Sequence, residues 1–169
     1  MAKTSGGVRR AGKQRPGVAA EAREKILTVL KDIGEKGYST EKPFIIGKVE
    51  KRMLEFAEKN GIKLAGKHIY MASDSIAHAM RDAKAEKGLA VSHGQLSKFP
   101  IRLSKMSLYY DTRTGNFTYT DGRAKYIINP NYERKINRKK KNVVDFITAS
   151  KIKNMQEFVM QKYIKIEDI

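Results

Sequence analysis

Cysteine and tryptophan are both missing from this chain of 169 residues. Without thiols there is no disulfide framework and no thiolate metal site, which excludes a zinc finger. Histidine occurs three times, as His68, His78 and His93, so few side chains can take and return a proton near neutrality. No apolar run approaches the roughly 18 residues that a membrane-spanning helix requires. The basic N-terminus is not followed by the apolar stretch of a secretory signal. There is no P-loop, no G-x-G-x-x-G after a strand, no H-E-x-x-H and no G-x-S-x-G. Acidic residues are few and scattered, whereas a metal-dependent nuclease needs them gathered.

What is present is positive charge. Against 18 Asp and Glu stand 35 Lys and Arg, a formal net charge of +17. A surplus of that size creates a field of several kT over much of a small surface, and the expected partner is polyanionic. Nucleic acid is the first candidate, RNA above all. An anionic membrane surface and an acidic protein follow, and charge alone does not separate them.

The chain is long enough for one well-cored domain. Residues 1–18 combine Lys3, Arg9, Arg10, Lys13 and Arg15 with several glycines and read as a flexible basic arm, since they bury too little apolar surface to offset ordering. Residues 19–66 read as a helical segment. One amphipathic helix runs over 19–33 on Ile26, Leu27, Leu30 and Ile33, and a second runs from about Gly47 to Asn60, the two pairing as a hairpin. Residues 67–169 read as an α+β unit. A strand near Lys67–Met71 leads into a helix capped at Ser73 or Asp74 and reaching about Lys87. Ser92 and Gln95 have the capping-box spacing and start a short helix limited by Pro100. Two aromatic and β-branched runs around Arg113-Thr-Gly-Asn116 read as a hairpin. Strands at Ala124–Ile128 and Val143–Thr148 flank a break at Asn129–Tyr132 and a basic loop over Glu133–Asn142, and a helix closes the chain from Asn154 to about Lys162. The expected architecture is N-terminal helices packed on a four-stranded antiparallel sheet, with one sheet face free for a ligand.

The segment from Ser73 to Lys84 carries the most chemistry. On one continuous helix, His78, Arg81, Asp82 and Lys84 form a polar strip, part titratable and part permanently cationic. Such a strip suits a phosphodiester. Cleaving RNA through its own 2′-hydroxyl needs a base, an acid for the leaving 5′-oxygen and a cation for the transition state, and side chains can supply all three. Thr148 and Ser150 are hydroxyl donors at the end of the last strand. Tyr109, Tyr110, Tyr119, Tyr126, Tyr132 and Phe117 gather on the expected sheet, and those facing away from the helices, beside Arg123 and Lys125, suit stacked single-stranded bases with a held backbone. The loop cations Arg134, Lys135, Arg138, Lys139, Lys140 and Lys141 suit phosphates gripped without reading sequence.

Residues 70–166 resemble the phage-associated branch of the Barnase–EndoU–colicin–RelE-like nuclease superfamily, whose domains occur in phage head-morphogenesis (MuF-type) and polymorphic-toxin proteins. The resemblance rests on Ser73-Asp-Ser-Ile-Ala-His78 leading to Arg81-Asp-Ala-Lys84, on Leu96-Ser-Lys-Phe-Pro100, on Leu108-Tyr-Tyr-Asp111 and on Asn142-Val-Val-Asp-Phe-Ile-Thr148. It implies an RNA-cutting cleft on the exposed sheet face and no metal or cofactor, with His78 as general acid or base and Arg81 and Lys84 as phosphate ligands. Lys125 and Thr148 are implied from later strands. It also implies a place in a bacterial host cytoplasm or a virion, with an immunity protein or a phage assembly partner. The alternative expectation is a non-catalytic basic protein that binds nucleic acid or builds a virion.

Overall fold

In the computed structural model, which describes residues 17–160 and 162–167, Ala22, Ile26, Val29 and Leu30 form the buried stripe of α1 (Val18–Lys36). Gly37 ends this helix at φ 84°, a left-handed backbone that a β-carbon would strain. Of the expected basic arm, residues 1–16 lie outside the described residues, Gly17 is the N-cap of α1 and Val18 is already helical.

The second helix is shorter than its pattern implies. Phe44–Lys48 is a strand, β1, and only Lys51–Lys59 is helix, α2. The run Phe44-Ile-Ile carries no period that distinguishes strand from helix. β1 pairs antiparallel with β2 (His68–Met71), with a register shift between Ile45 and Gly47. The expected α1–α2 hairpin does not form, and α1 packs chiefly on α5 (His93–Arg102). The capping box of α5 is in place: the Gln95 N–H donates to Ser92 Oγ, and the Ser92 N–H donates to the Gln95 side chain. Pro100 does not stop α5, which runs on to Arg102 and into a 3-10 turn at Leu103–Lys105. Leu96, Phe99, Pro100 and Leu103 are all buried, and that burial outweighs one missing backbone hydrogen bond.

Among the described residues the sheet has seven strands rather than four and is mixed rather than antiparallel. Beyond β1 and β2 it contains β3 (Ser107–Asp111), β4 (Asn116–Thr120), β5 (Ala124–Ile136), β6 (Lys139–Lys151) and β7 (Tyr163–Ile166), in the order β1-β2-β6-β5-β4-β3-β7. The four anticipated antiparallel strands are its β3–β6 half. β2 joins β6 in parallel, and β7 follows a one-turn helix, α6 (Gln156–Met160), where a longer helix was expected.

Two other expected breaks are also bridged. Asn129-Pro-Asn-Tyr132 does not end its strand, because a register shift between Asn129 and Tyr132 absorbs the irregular residues. Nor is Glu133–Asn142 a loop. Its ladder continues through Arg134↔Lys141, Lys135↔Lys140 and Ile136↔Lys139. It closes on Asn137 and Arg138, at φ 51° and 67°, the two positive values of a type I′ hairpin turn.

A single core joins the two sides of the expected boundary at residue 66. Ile26, Ile46 and Met53 share one buried cluster with Ile69, Phe99, Tyr126, Phe146 and Ile166. Phe99 stacks on Tyr126 with ring centroids 4.3 Å apart and planes 6° from parallel. The other face of the sheet is partly covered, since Phe158 of α6 packs between Tyr109 at 4.8 Å and Tyr163 at 4.6 Å.

Candidate functional site

The helix expected to run unbroken from Ser73 to Lys87 is two. α3 (Ser73–Ala79) buries Ile76 and Ala79 and ends at Met80. Arg81 then adopts extended backbone, φ −62° and ψ 151°, and α4 (Asp82–Glu86) begins. This break carries the chain along the edge of β6 beyond the short β2, where the Lys151 N–H donates to the Leu89 carbonyl at 2.7 Å. The continuous polar strip therefore does not exist.

Turning α4 aims Lys84 at the strand. Its Nζ donates to Thr148 Oγ1 at 2.6 Å and to the Ala149 carbonyl at 2.8 Å. Thr148 in turn lines a cleft of about 390 Å³ with Asp74, Ser75, His78, Tyr132, Arg134 and Ile147. Two candidates distant in sequence, His78 and Thr148, thus share one cavity, and Lys84 is hydrogen-bonded to its rim.

The electrostatics of the rim favour proton exchange. Desolvation, with the charges of Arg81 and Lys84, holds His78 below the ordinary imidazole pKa. Its ring is accordingly neutral at pH 7 and free to accept a proton. Burial lowers the Lys84 ammonium to about 8, helped by Arg81 and Lys125, so a proton leaves it far more readily than it leaves an exposed lysine.

The opposite wall is built from charge pairs. Arg134 donates to Asp145 Oδ2 from Nη2 at 2.7 Å and from Nε at 3.0 Å, to Asp74 at 3.0 Å and to Ser75 Oγ at 3.2 Å. The Asp145 side chain is fully buried, and among the described residues its Oδ1 has no hydrogen-bond partner. Burial pushes its carboxyl up to about 6, an effect that the bonds from Arg134 only partly offset. Sequence reading gave Asp145 no role and placed Tyr132 only among the sheet aromatics. A lone carboxylate inside Val143-Val-Asp-Phe-Ile147 was the available signal, since a charge in an apolar strand requires a buried partner.

The remaining candidates fall into different settings. Arg81 is exposed and does not line the cleft, but it lies near enough to His78 for its charge to lower the imidazole pKa, and Arg123 is exposed in the turn between β4 and β5. Lys125 pairs with Glu157 at 3.1 Å. Tyr126 is 1% exposed under Phe99, so the expectation that its ring stacks a base is overturned. Arg134 is likewise not a free loop cation but a half-buried tie between three elements. Lys135 and Arg138 line a separate groove. Lys139 is exposed, Lys140 lies 3.7 Å from Glu133, and Lys141 sits 5.8 Å from the Tyr70 ring centre.

Among the described residues no helix is long and apolar enough to cross a membrane. Compared with protein-family models, with curated proteins and with solved structures, the chain matches none.

Proposed function

We propose that this chain is a metal-independent endoribonuclease of the phage-associated or toxin-domain kind, cutting RNA at the cleft between α3 and β6. The observation that carries the reading is the meeting of His78, Lys84 and Thr148 from separate elements at one cavity. A neutral imidazole and a readily deprotonated ammonium on the same rim are the base and acid that the reaction needs.

In this mechanism His78 takes the proton of the ribose 2′-hydroxyl, whose oxygen attacks the adjacent phosphorus. The bond to the 5′-oxygen breaks, and Lys84 gives that oxygen a proton. The products are a 2′,3′-cyclic phosphate and a 5′-hydroxyl end. Arg81, exposed and near enough to His78 to lower its pKa, binds the non-bridging oxygens as charge builds on them. Thr148 acts through Lys84, holding its Nζ at the rim. Because side chains supply base, acid and cation, these steps call for no metal or cofactor.

The test is cleavage of single-stranded RNA in the presence of a chelator. Wild-type protein cleaves, and His78→Ala abolishes cleavage while leaving the far-UV circular dichroism unchanged; retained cleavage in that variant refutes the assignment. A second reading, a non-catalytic nucleic-acid-binding or virion protein, is favoured by one fact. Lys84 and Arg134 both spend hydrogen bonds on the protein itself. It predicts steeply salt-dependent binding of DNA and RNA without turnover, indifferent to His78.

A further inference from the structure

A second cavity shares no lining residue with the His78 cleft. It is a groove of about 1080 Å³ between the start of α1, the β1–β2 edge and the tip of the β5–β6 hairpin. Its apolar surface comes from Phe44, Ile45, Tyr70 and Ile136, and its cations from Lys25, Lys42, Lys135 and Arg138. Among the described residues Glu21 is the one acidic residue lining it. Lys25 lies 5.7 Å from the Phe44 ring centre, and Lys141 lies 5.8 Å from that of Tyr70.

Three features distinguish this groove from an ordinary solvated basic face. On the same hairpin Arg134 is consumed by Asp74 and Asp145, whereas none of Lys25, Lys42, Lys135 and Arg138 is ion-paired among the described residues. Arg138 occupies a left-handed backbone position at φ 67°, where the second residue of a type I′ turn is ordinarily glycine. A long cationic side chain sits there although its β-carbon strains that backbone. The rings, finally, lie among the cations instead of apart from them, which suits a ligand carrying flat apolar groups and phosphates together. A lipid surface supplies the charge but not the planar rings, and an acidic peptide does not repeat a ring beside every charge as a nucleotide strand does.

We infer that this groove is a second nucleic-acid subsite, holding the single-stranded RNA that flanks the cleaved bond. Bases lie on Tyr70 and the neighbouring apolar surface, phosphates lie on Lys25, Lys42, Lys135 and Arg138, and no sequence is read. Successive residues of a strand face opposite ways. Arg134 lines the cleft and Lys135 the groove, so the β5–β6 hairpin serves both sites. The inference rests on the ribonuclease reading for the direction of the bound strand, but binding in the groove does not require cleavage.

The experiment measures fluorescence anisotropy of a labelled 2′-O-methyl oligoribonucleotide, which lacks the attacking hydroxyl, against the full chain over a series of salt concentrations. Lys25→Glu combined with Lys135→Glu weakens binding roughly tenfold or more at low salt. It also makes the salt slope shallower by roughly 1.4, for two lost phosphate contacts at about 0.7 each on a single strand. Arg138→Gly, which relaxes the turn, keeps or raises the melting temperature and still weakens binding. Lys98→Glu combined with Lys105→Glu, exposed elsewhere, serves as the charge control. Equal losses in the control and groove variants overturn the inference, as does tighter binding of anionic vesicles or polyglutamate than of the oligonucleotide. If His78→Ala leaves RNA cleavage intact while the groove variants lose the oligonucleotide, the catalytic assignment fails and the subsite stands.

Discussion

Lys84 Nζ donates to Thr148 Oγ1 at 2.6 Å across 64 residues of sequence, and this bond joins a helix that carries a cation to the strand that lines the cleft. It exists because α3 stops at Met80 and α4 starts afresh at Asp82. On one straight helix Lys84 would follow the periodicity of His78 and Arg81 around the axis instead of reaching the strand edge.

The same pair sets a pH profile. Burial depresses the Lys84 pKa to about 8, so the ammonium is present below that pH and is lost as pH rises through it. His78 is lowered from 6.5, so its neutral form is regained as pH rises from acid. RNA cleavage is expected to rise from acid to a plateau near neutrality and to fall again near pH 8. Initial rates measured across that range check it. Lys84→Arg moves the falling limb to higher pH, and a limb that stays in place in that variant rules out Lys84 as its source.

Arg134→Ala leaves Asp145 as a buried carboxylate without its partner, and the expected loss at pH 8 is about 3–5 kcal/mol. The sign with pH is definite. The Asp145 carboxyl is already raised to about 6 and rises further without Arg134, so protonation relieves the penalty as pH falls. Urea unfolding at pH 8 and pH 5 is expected to show the larger destabilisation at pH 8, and the reverse order would mean that Asp145 is not the source.

Phe99→Ala removes the ring stacked on Tyr126 at 4.3 Å in the fully buried layer between α5 and the sheet. The expected cost is about 3–5 kcal/mol, read as a lower urea midpoint. Tyr126→Phe keeps the stack, and its RNA affinity is expected to match the wild type, since the ring is out of reach of solvent.

Ser92→Ala removes one half of the capping box of α5, with an expected loss of about 1 kcal/mol. Chemical denaturation measures it, and an unchanged midpoint would show that tertiary packing alone holds the start of the helix.

Elements with a strong local signal were legible in the chain. The stripe of α1, the Ser92–Gln95 box and the β3–β4 hairpin at Arg113–Asn116 follow from spacing and turn chemistry alone. β1 and β7 were not. Phe44-Ile-Ile has no period, and β7 is a four-residue strand held by β3. The length of β5 and β6 was hidden as well, because a run of lysines reads as solvated loop until a partner strand takes up its backbone hydrogen bonds.

His78 and Thr148 were each visible as candidates, but their shared cleft was not, since no local pattern reports a contact across the fold. Asp145 and Arg134 show the same division. Composition established that this protein carries a large positive surplus, and periodicity established where several of its elements run. Only the tertiary structure decided which cations are consumed. Arg134 and Lys135 are adjacent in sequence, yet strand alternation turns one toward a buried carboxylate and the other toward an open groove. Whether a charge is tied or free depends on what the fold places opposite it.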